Sequence, residues 1–306
     1  MKPETYKEVK EKLEKLKKQV LCIEKAIKSK KVKEIERSIK YAVYDLHRIH
    51  KKATNKTTQE SMKEISRSPW EIRDIKEGEQ RKHRDVKKIY SIWAKEYDTQ
   101  KSNLLIFIES KSSGEFIKGV KNKEILDYGC GTGRYALSLA KKEASVTAID
   151  FNNAMLKRAK EKAKKAKLVI DFKKQDITKY KPKKKFDLII SMLVLDHIKN
   201  LKQAVNIMNK ASKIGTSVVI SNIHPTLILA GLKKGKGPGW LTQKYKTDQY
   251  YHPIEKYIEL FLEKGFVLTK IKDLLYEKEY HQKRFRKFTE FEKKPFGIIM
   301  KFEKIK

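Results

Sequence analysis

Three glycines at alternating positions, preceded by an aspartate, form the part of this sequence best suited to chemistry. Residues 125–134 read ILDYGCGTGR, which places Asp127, Gly129, Gly131 and Gly133 two positions apart. Glycine adopts left-handed backbone dihedrals and lets backbone N–H groups approach a ligand that a Cβ atom would hold off. The spacing predicts a turn around a nucleotide-like cofactor, with the aspartate facing a cationic or amino-bearing part of that ligand.

Two more acids follow strand-like runs further along the chain. Asp150 ends the run SVTAID, 17 positions after the last of these glycines. A carboxylate at that place can accept hydrogen bonds from both hydroxyls of a ribose. Asn152 and Asn153 come next and are suited to cap a helix. Asp176 follows another short strand-like run, residues 169–172.

The order and spacing of these features resemble the class I S-adenosylmethionine-dependent methyltransferases over about residues 90–306. A nicotinamide-binding turn is the main alternative, but it needs a glycine where this chain has Arg134. The resemblance implies S-adenosylmethionine as cofactor, with Met155 against the adenine and Asp176 on the adenine amino group. The cofactor-binding residues that it implies are Tyr97, Asp127, Gly129, Gly131, Gly133, Asp150, Phe151, Met155, Asp176, Ile177 and Ser191.

The resemblance also implies an α/β fold, a Rossmann-like seven-stranded methyltransferase sheet with an N-terminal helical extension. Hydrophobic periodicity places the elements that must position the turn. One strand is predicted to begin at Glu124 and another to end at residue 223, and further strands are predicted at 145–150, 169–172, 186–192, 266–271 and 295–302. The last two are expected to form an antiparallel hairpin at the sheet edge. Helices are predicted at 103–117, after 133, after 152, at 195–198, at 201–211 and up to about 263. Residues 272–294 form an excursion that could wall the acceptor pocket.

Side chains beyond the fourth and fifth predicted strands are the candidates for acceptor chemistry. Ligands of open α/β sheets bind beyond the carboxyl ends of the strands, and a base is needed only when the acceptor carries a proton that must leave. His224 is the first candidate for that base, with a loop hydrogen bond as its alternative role. His252 and Tyr251 resemble a stretch that closes over the acceptor in related enzymes, or they form a helix-entry turn. His197, just past the fourth strand, is a further candidate, for which a structural role through a cap or backbone contact is favoured.

Tyr97 ends an aromatic segment, residues 89–98, that resembles the lid preceding the catalytic domain in many small-molecule methyltransferases. The alternative is that its ring anchors the helix while its hydroxyl stays in water.

Residues 1–88 are predicted to form a separate helical hairpin and linker, with the methyltransferase domain at 89–306. Aliphatic residues recur at helical spacing over 9–27 and again over 32–49, so each helix must bury one face. We expect these helices to serve packing or homodimerisation in preference to substrate recognition, because aliphatic stripes of this kind usually form the buried core between helices.

A strong positive charge is the other property of the chain, which carries 73 basic and 38 acidic residues and a net charge of +35. Such a charge suits RNA or another polyanion. The basic residues, however, are 63 lysines and 10 arginines spread over the whole chain, whereas specific recognition draws on arginine. No apolar run reaches the about 20 residues of a membrane span, and no signal peptide is evident, so a cytoplasmic basic protein is expected. Cys22 and Cys130 offer no metal spacing, and no metal is expected.

The sequence thus favours methyl transfer to an oxygen, nitrogen or carbon atom of a small-molecule acceptor. The alternative is a methyltransferase of RNA or protein whose basic surface binds the polymer. A third hypothesis, a cofactor-binding scaffold without catalysis, fits less well because the glycines and acids are intact.

Overall fold

The computed structural model describes residues 86–94, 97–98, 104–225, 227–228, 249–277 and 295–306. The predictions for the N-terminal hairpin and linker up to residue 85 lie outside the described residues. The same holds for most of the predicted excursion, residues 278–294.

A seven-stranded sheet organises the described residues, in the order β3-β2-β1-β4-β5-β7-β6. Its strands are β1 (Glu124–Tyr128), β2 (Ser145–Asp150), β3 (Asp171–Lys174), β4 (Phe186–Met192), β5 (Ser212–Ile223), β6 (Phe266–Leu275) and β7 (Pro295–Lys304). The first five pair in parallel, while β7 runs antiparallel to both β5 and β6. The predicted α/β class, seven-stranded sheet and antiparallel edge hairpin are confirmed.

Helices cover the sheet and connect its parallel strands. They are α1 (Val86–Trp93), α2 (Leu104–Ser113), α3 (Arg134–Ala140), α4 (Asn153–Lys165), α5 (Leu201–Lys210) and α6 (Ile254–Leu262), with short 3₁₀ turns at Ile177–Lys179 and Leu195–His197. Among the described residues, no helix combines the length and the apolar composition that crossing a membrane requires.

The central strands β1 and β4 are buried on both faces, as their mainly apolar sequences predict. Ile125 and Leu126 of β1 and Ile189 and Ile190 of β4 are fully buried. β1 lies between β2 and β4, with Leu126 opposite both Thr147 and Ile189. Because parallel strands end at the same edge, the residues after β1, β2, β3 and β4 meet there, and this edge carries the site.

Several element bounds differ from those predicted. The helix expected at 103–117 is α2, which ends at Ser113, and the helix expected at 195–198 is a single 3₁₀ turn. The third strand begins at Asp171, where pairing with β2 starts, while Val169 projects into solvent with 95% exposure. β6 continues to Leu275 because its backbone pairs with β7 over its whole length, so the first residues of the predicted excursion belong to the sheet.

Candidate cofactor and acceptor site

The glycine turn between β1 and α3 is built on left-handed backbone. Gly129, Gly131 and Gly133 have φ angles of +89°, +53° and +78°. A Cβ atom on Gly129 would lie 2.6 Å from Val194 Cγ1, and one on Gly133 would lie 2.6 Å from Leu137 Cδ1. A Cβ on Gly131 would meet no atom within 4 Å. The outer two glycines therefore permit close packing, and Gly131 leaves open space beside the backbone where a ligand can approach.

Asp150, at the end of β2, is fixed by backbone donors from two directions. Its Oδ2 accepts a hydrogen bond from Gly131 N–H at 2.8 Å, and its Oδ1 accepts one from Asn152 N–H at 2.8 Å. Burial raises the pKa of this carboxyl, and the hydrogen bonds partly oppose that rise. Each oxygen can accept a further hydrogen bond, so the carboxylate is oriented for a pair of vicinal hydroxyls.

Asp127 lies beneath the turn and is almost completely buried. One of its oxygens accepts the N–H of Ala136 at 3.0 Å, in the first turn of α3. Desolvation raises the pKa of Asp127 to about 7. A cationic group bound beside this carboxyl would favour its ionised form. The site therefore provides a carboxylate at the position where the sequence predicts contact with a cationic ligand group.

A pocket of about 440 Å³ opens at this edge of the sheet. It falls in the usual size range of small-molecule and cofactor sites. The predicted cofactor residues that line it are Tyr97, Asp127, Gly129, Gly131, Asp150, Phe151, Met155, Asp176 and Ile177. Asp176 itself caps the 3₁₀ turn, since its Oδ1 accepts the Thr178 N–H at 2.8 Å. Asp127 lies near the end of β1 and Gly131 follows that strand, while Asp150 ends β2 and Asp176 follows β3. The ligand would therefore lie across the ends of three strands.

Two predicted cofactor residues are placed beside the pocket and not in its wall. The Ser191 hydroxyl is fully buried and donates to the carbonyl of Tyr128 at 3.0 Å, so it joins β4 to β1. Gly133 packs α3 against Ala159 of α4. Ser191 and Gly133 therefore hold together the strands and helices that form the pocket.

The three predicted catalytic residues also lie outside this pocket. His224 Nε2 is 3.5 Å from Asp273 Oδ1 of β6, and its backbone N–H donates to Phe296 on β7. His252 is buried behind the pocket wall, where its Nε2 donates to the Ile198 carbonyl at 2.7 Å. Tyr251 is half-buried on the segment before α6. The extension of β6 to Leu275 explains this contact, because it brings Asp273 alongside the His224 imidazole.

His197 and Tyr90, by contrast, both line the pocket. The Tyr90 hydroxyl lies 2.9 Å from His197 Nε2, and the two rings meet edge to face at 5.5 Å. His197 belongs to the 3₁₀ turn after β4. Its position just beyond a parallel strand makes it a candidate in the sequence, where a structural role through a cap or backbone contact is favoured.

The aromatic segment that the sequence predicts to form a lid, residues 89–98, contributes Tyr90 and Tyr97 to the wall of the pocket. Tyr97 packs edge-on against Trp93 at 4.7 Å, and burial raises the pKa of Tyr97 to about 12, so its hydroxyl is neutral. The next residue, Asp98, accepts hydrogen bonds from Thr132 Oγ1 and from Lys162 Nζ, both at 2.7 Å. The lid is thus tied to the glycine turn and to α4.

A buried ionic network supports the turn from the other side. Glu109 of α2 is fully buried and contacts Arg134 Nη1 at 2.6 Å, the Tyr135 hydroxyl at 2.8 Å and Ser221 Oγ at 3.1 Å. Each of these groups donates to the Glu109 carboxylate. The network joins α2, α3 and β5, and the sequence signal for it was a single acid within the apolar run of α2.

In the described part of the chain, no group of three His, Cys, Asp or Glu side chains lies close enough together to hold a metal ion.

Relatives of this chain are methyltransferases. Its residues 120–290 match the family described as methyltransferase domain. A ubiquinone biosynthesis O-methyltransferase from Pelagibacter ubique is 33% identical over 127 residues, which are 42% of this chain and 52% of that protein. The enzyme of that name from Rickettsia akari is 27% identical over 177 residues, which are 56% of this chain and 70% of that protein.

The fold has solved counterparts. The crystal structure of an S-adenosylmethionine-dependent methyltransferase from Mesorhizobium loti is 17% identical, with a TM-score of 0.55, and covers 64% of this chain and 98% of that one. At that identity the likeness concerns the fold. The family match spans more than half of the chain and includes the glycine turn, Asp150 and Asp176. The chain therefore belongs to the methyltransferase-domain family.

Proposed function

We propose that this protein transfers the methyl group of S-adenosylmethionine to an oxygen, nitrogen or carbon atom of a small-molecule acceptor. The observation that carries the proposal is the orientation of Asp150 by the backbone of the glycine turn. In this arrangement a carboxylate suited to ribose hydroxyls lies beside open space over Gly131, in one pocket with a second buried carboxylate, Asp127.

The residues present fit this cofactor part by part. Asp150 would hold the ribose, Met155 and Ile177 would contact the adenine, and Asp176 would accept from its amino group. Asp127 and the turn would hold the charged amino-acid end. When bound, S-adenosylmethionine supplies a methyl group on a positively charged sulfur, which is open to attack by a nucleophile. Asp127 and the backbone hydrogen bonds of the turn fix the orientation on which the rate of such an attack depends.

A small acceptor suits the size of the pocket, about 440 Å³. Two apolar side chains that follow β4, Leu193 and Val194, line the same pocket. Tyr90 and Tyr97 of the aromatic segment add ring surfaces to its wall. The two relatives named as O-methyltransferases in ubiquinone biosynthesis support oxygen as the acceptor atom. The chain spans about half of the length of the first of them, so its acceptor is inferred from the pocket and from chemistry.

Methyl transfer to RNA or protein is the second candidate, and the lysines favour it. α4 exposes Lys157, Lys160 and Lys164 on its outer face, where a polyanion could bind. Polymer binding, a homodimer through the N-terminal helices and a cytoplasmic location stay predictions.

The experiment that tests the proposed function incubates the full chain with methyl-labelled S-adenosylmethionine and a cell extract separated into low-molecular-mass metabolites, RNA and protein. We expect label in the metabolite fraction. Asp150→Ala should lose the transfer. Its matched control is Asp171→Ala, which removes an exposed carboxylate of β3 and should keep the transfer. Label confined to RNA or protein would replace the small-molecule function with the second candidate, and no label in any fraction would reject methyl transfer.

A further inference from the structure

The hydrogen bond between Tyr90 and His197 joins two elements that line the pocket. Tyr90 is carried by α1, and His197 by the 3₁₀ turn after β4. Their polar atoms are 2.9 Å apart and both side chains line the pocket. Since the cofactor parts are assigned to the ends of β1, β2 and β3, the end of β4 is the side left for the acceptor.

The surroundings keep the Tyr90 hydroxyl protonated. Burial raises the pKa of Tyr90 well above its usual value, and the charges of Asp196 and Asp150 add to the rise because each would repel a phenolate. Asp196 is engaged elsewhere, since its Oδ2 accepts from Gln249 Nε2 at 2.9 Å. In the His197 tautomer whose Nε2 carries no hydrogen, the Tyr90 hydroxyl donates to that nitrogen. The phenol oxygen then has lone pairs that can accept a hydrogen bond from a group in the pocket.

We propose that Tyr90 and His197 form the proton relay of the transfer reaction, an inference that rests on the proposed function. The acceptor's O–H or N–H donates to the Tyr90 oxygen, and the Tyr90 proton passes to His197 Nε2. The lone pair left on the acceptor forms the new bond to the methyl carbon, and the carbon–sulfur bond breaks with its electrons remaining on sulfur. The acceptor therefore carries a hydroxyl or an amine that faces Tyr90, and methylation at that oxygen or nitrogen is expected.

The test measures initial rates of methyl transfer from labelled S-adenosylmethionine to the metabolite extract, for the full chain and for Tyr90→Phe and His197→Ala. General acid–base catalysis contributes about 10²- to 10⁴-fold, so each variant should lose at least about 100-fold. Tyr90→Phe keeps the ring that packs on Trp93 and Tyr97. Tyr180→Phe removes a hydroxyl outside the pocket and serves as the matched control, which should keep its rate.

Three further readouts separate a relay from structural support. Affinity for S-adenosylhomocysteine, measured by calorimetry, should stay within about twofold in both variants. Added imidazole should restore transfer by His197→Ala. At saturating S-adenosylmethionine, where protonation of Asp127 no longer limits binding, the loss of rate on the acidic side of the pH profile should become smaller in that variant. The labelled atom of the product, located by NMR, should be oxygen or nitrogen.

The possible outcomes distinguish failure of the proton relay from failure of the proposed methyl transfer. Label on carbon, or variants that bind S-adenosylhomocysteine and keep the wild-type rate, would overturn the relay and leave the proposed function standing. Variants that lose rate without imidazole rescue and with an unchanged pH profile would also overturn it. A wild-type protein that neither binds S-adenosylhomocysteine nor transfers label would overturn the proposed function itself.

Discussion

Two buried carboxylates, Asp127 and Asp150, differ in the backbone hydrogen bonds that they accept. Asp150 accepts one backbone N–H on each oxygen, whereas Asp127 accepts one at Ala136 and otherwise lies among buried groups. Burial raises the pKa of both, and that of Asp127 reaches about 7. The sequence could predict that both acids face a ligand. It could not predict that Asp127 would titrate near neutrality, because that property depends on how completely the fold removes it from water.

Cofactor affinity should depend on pH through Asp127. The free carboxyl, with a pKa of about 7, is largely protonated at pH 6, and a bound ammonium group would favour its ionised form, so that binding releases a proton. Affinity for S-adenosylmethionine should therefore rise between pH 6 and pH 8, by up to about tenfold per pH unit below pH 7. Calorimetry across this range measures it.

Asp127→Asn is the control for this pH dependence, because the amide keeps the shape of the side chain without titrating. Most of the rise with pH should vanish in the variant. An equal slope in both proteins would contradict the assignment of Asp127 to the cationic end of the ligand.

At the level of elements, the fully buried Glu109 ties α2 to α3 and β5. Removing one member of a buried ion pair leaves the other charge without compensation, which costs about 3–5 kcal/mol. Glu109→Ala should therefore lower the free energy of unfolding by about that amount, as measured in urea. The matched control is Glu124→Ala, whose exposed ion pair with Lys184 should contribute less than about 1 kcal/mol. Equal losses in the two variants would show that Arg134 is compensated elsewhere.

The tether of the lid allows a separate test on α4. Lys162→Ala removes the 2.7 Å ion pair with Asp98, and Lys121→Ala removes an exposed 2.8 Å pair with Glu143 on the far side of the fold. Both should change the free energy of unfolding by less than about 1 kcal/mol. Only Lys162→Ala should also speed release of S-adenosylhomocysteine, by severalfold in stopped-flow measurements. Identical release rates in the two variants would mean that this ion pair does not hold the lid.

Elements with strong local signals were predicted well, and side-chain partnerships were not. β2 and α3 have the predicted bounds because alternation, or helical spacing next to a glycine turn, specifies them locally. His224 was the preferred base because it follows β5. Its actual neighbour, Asp273, is distant in sequence and reaches it only because β6 extends to Leu275. The Tyr90–His197 pair spans 107 positions, and no local pattern indicates such a contact.

On the scale of the whole molecule, the net charge of +35 should produce RNA binding that is weak and nonspecific. Lysine contacts to phosphate release counterions, so affinity should fall by about 0.7 to 0.9 log units per neutralised phosphate for each tenfold rise in salt. We expect filter binding to several unrelated RNAs to decline together as salt increases. Selective binding that persists at moderate salt, accompanied by methylation of the RNA, would favour a polymer acceptor.

Calorimetric titration of the full chain with S-adenosylmethionine tests the central claim most directly. The account predicts saturable binding at one site, no binding of NADH under the same conditions, and a loss of about 1.5–3 kcal/mol of binding free energy in Asp150→Ala. The melting temperature of the variant, measured in parallel, shows whether it is folded. Absence of S-adenosylmethionine binding to the wild-type chain, or equal affinity in a folded Asp150→Ala variant, would contradict the account.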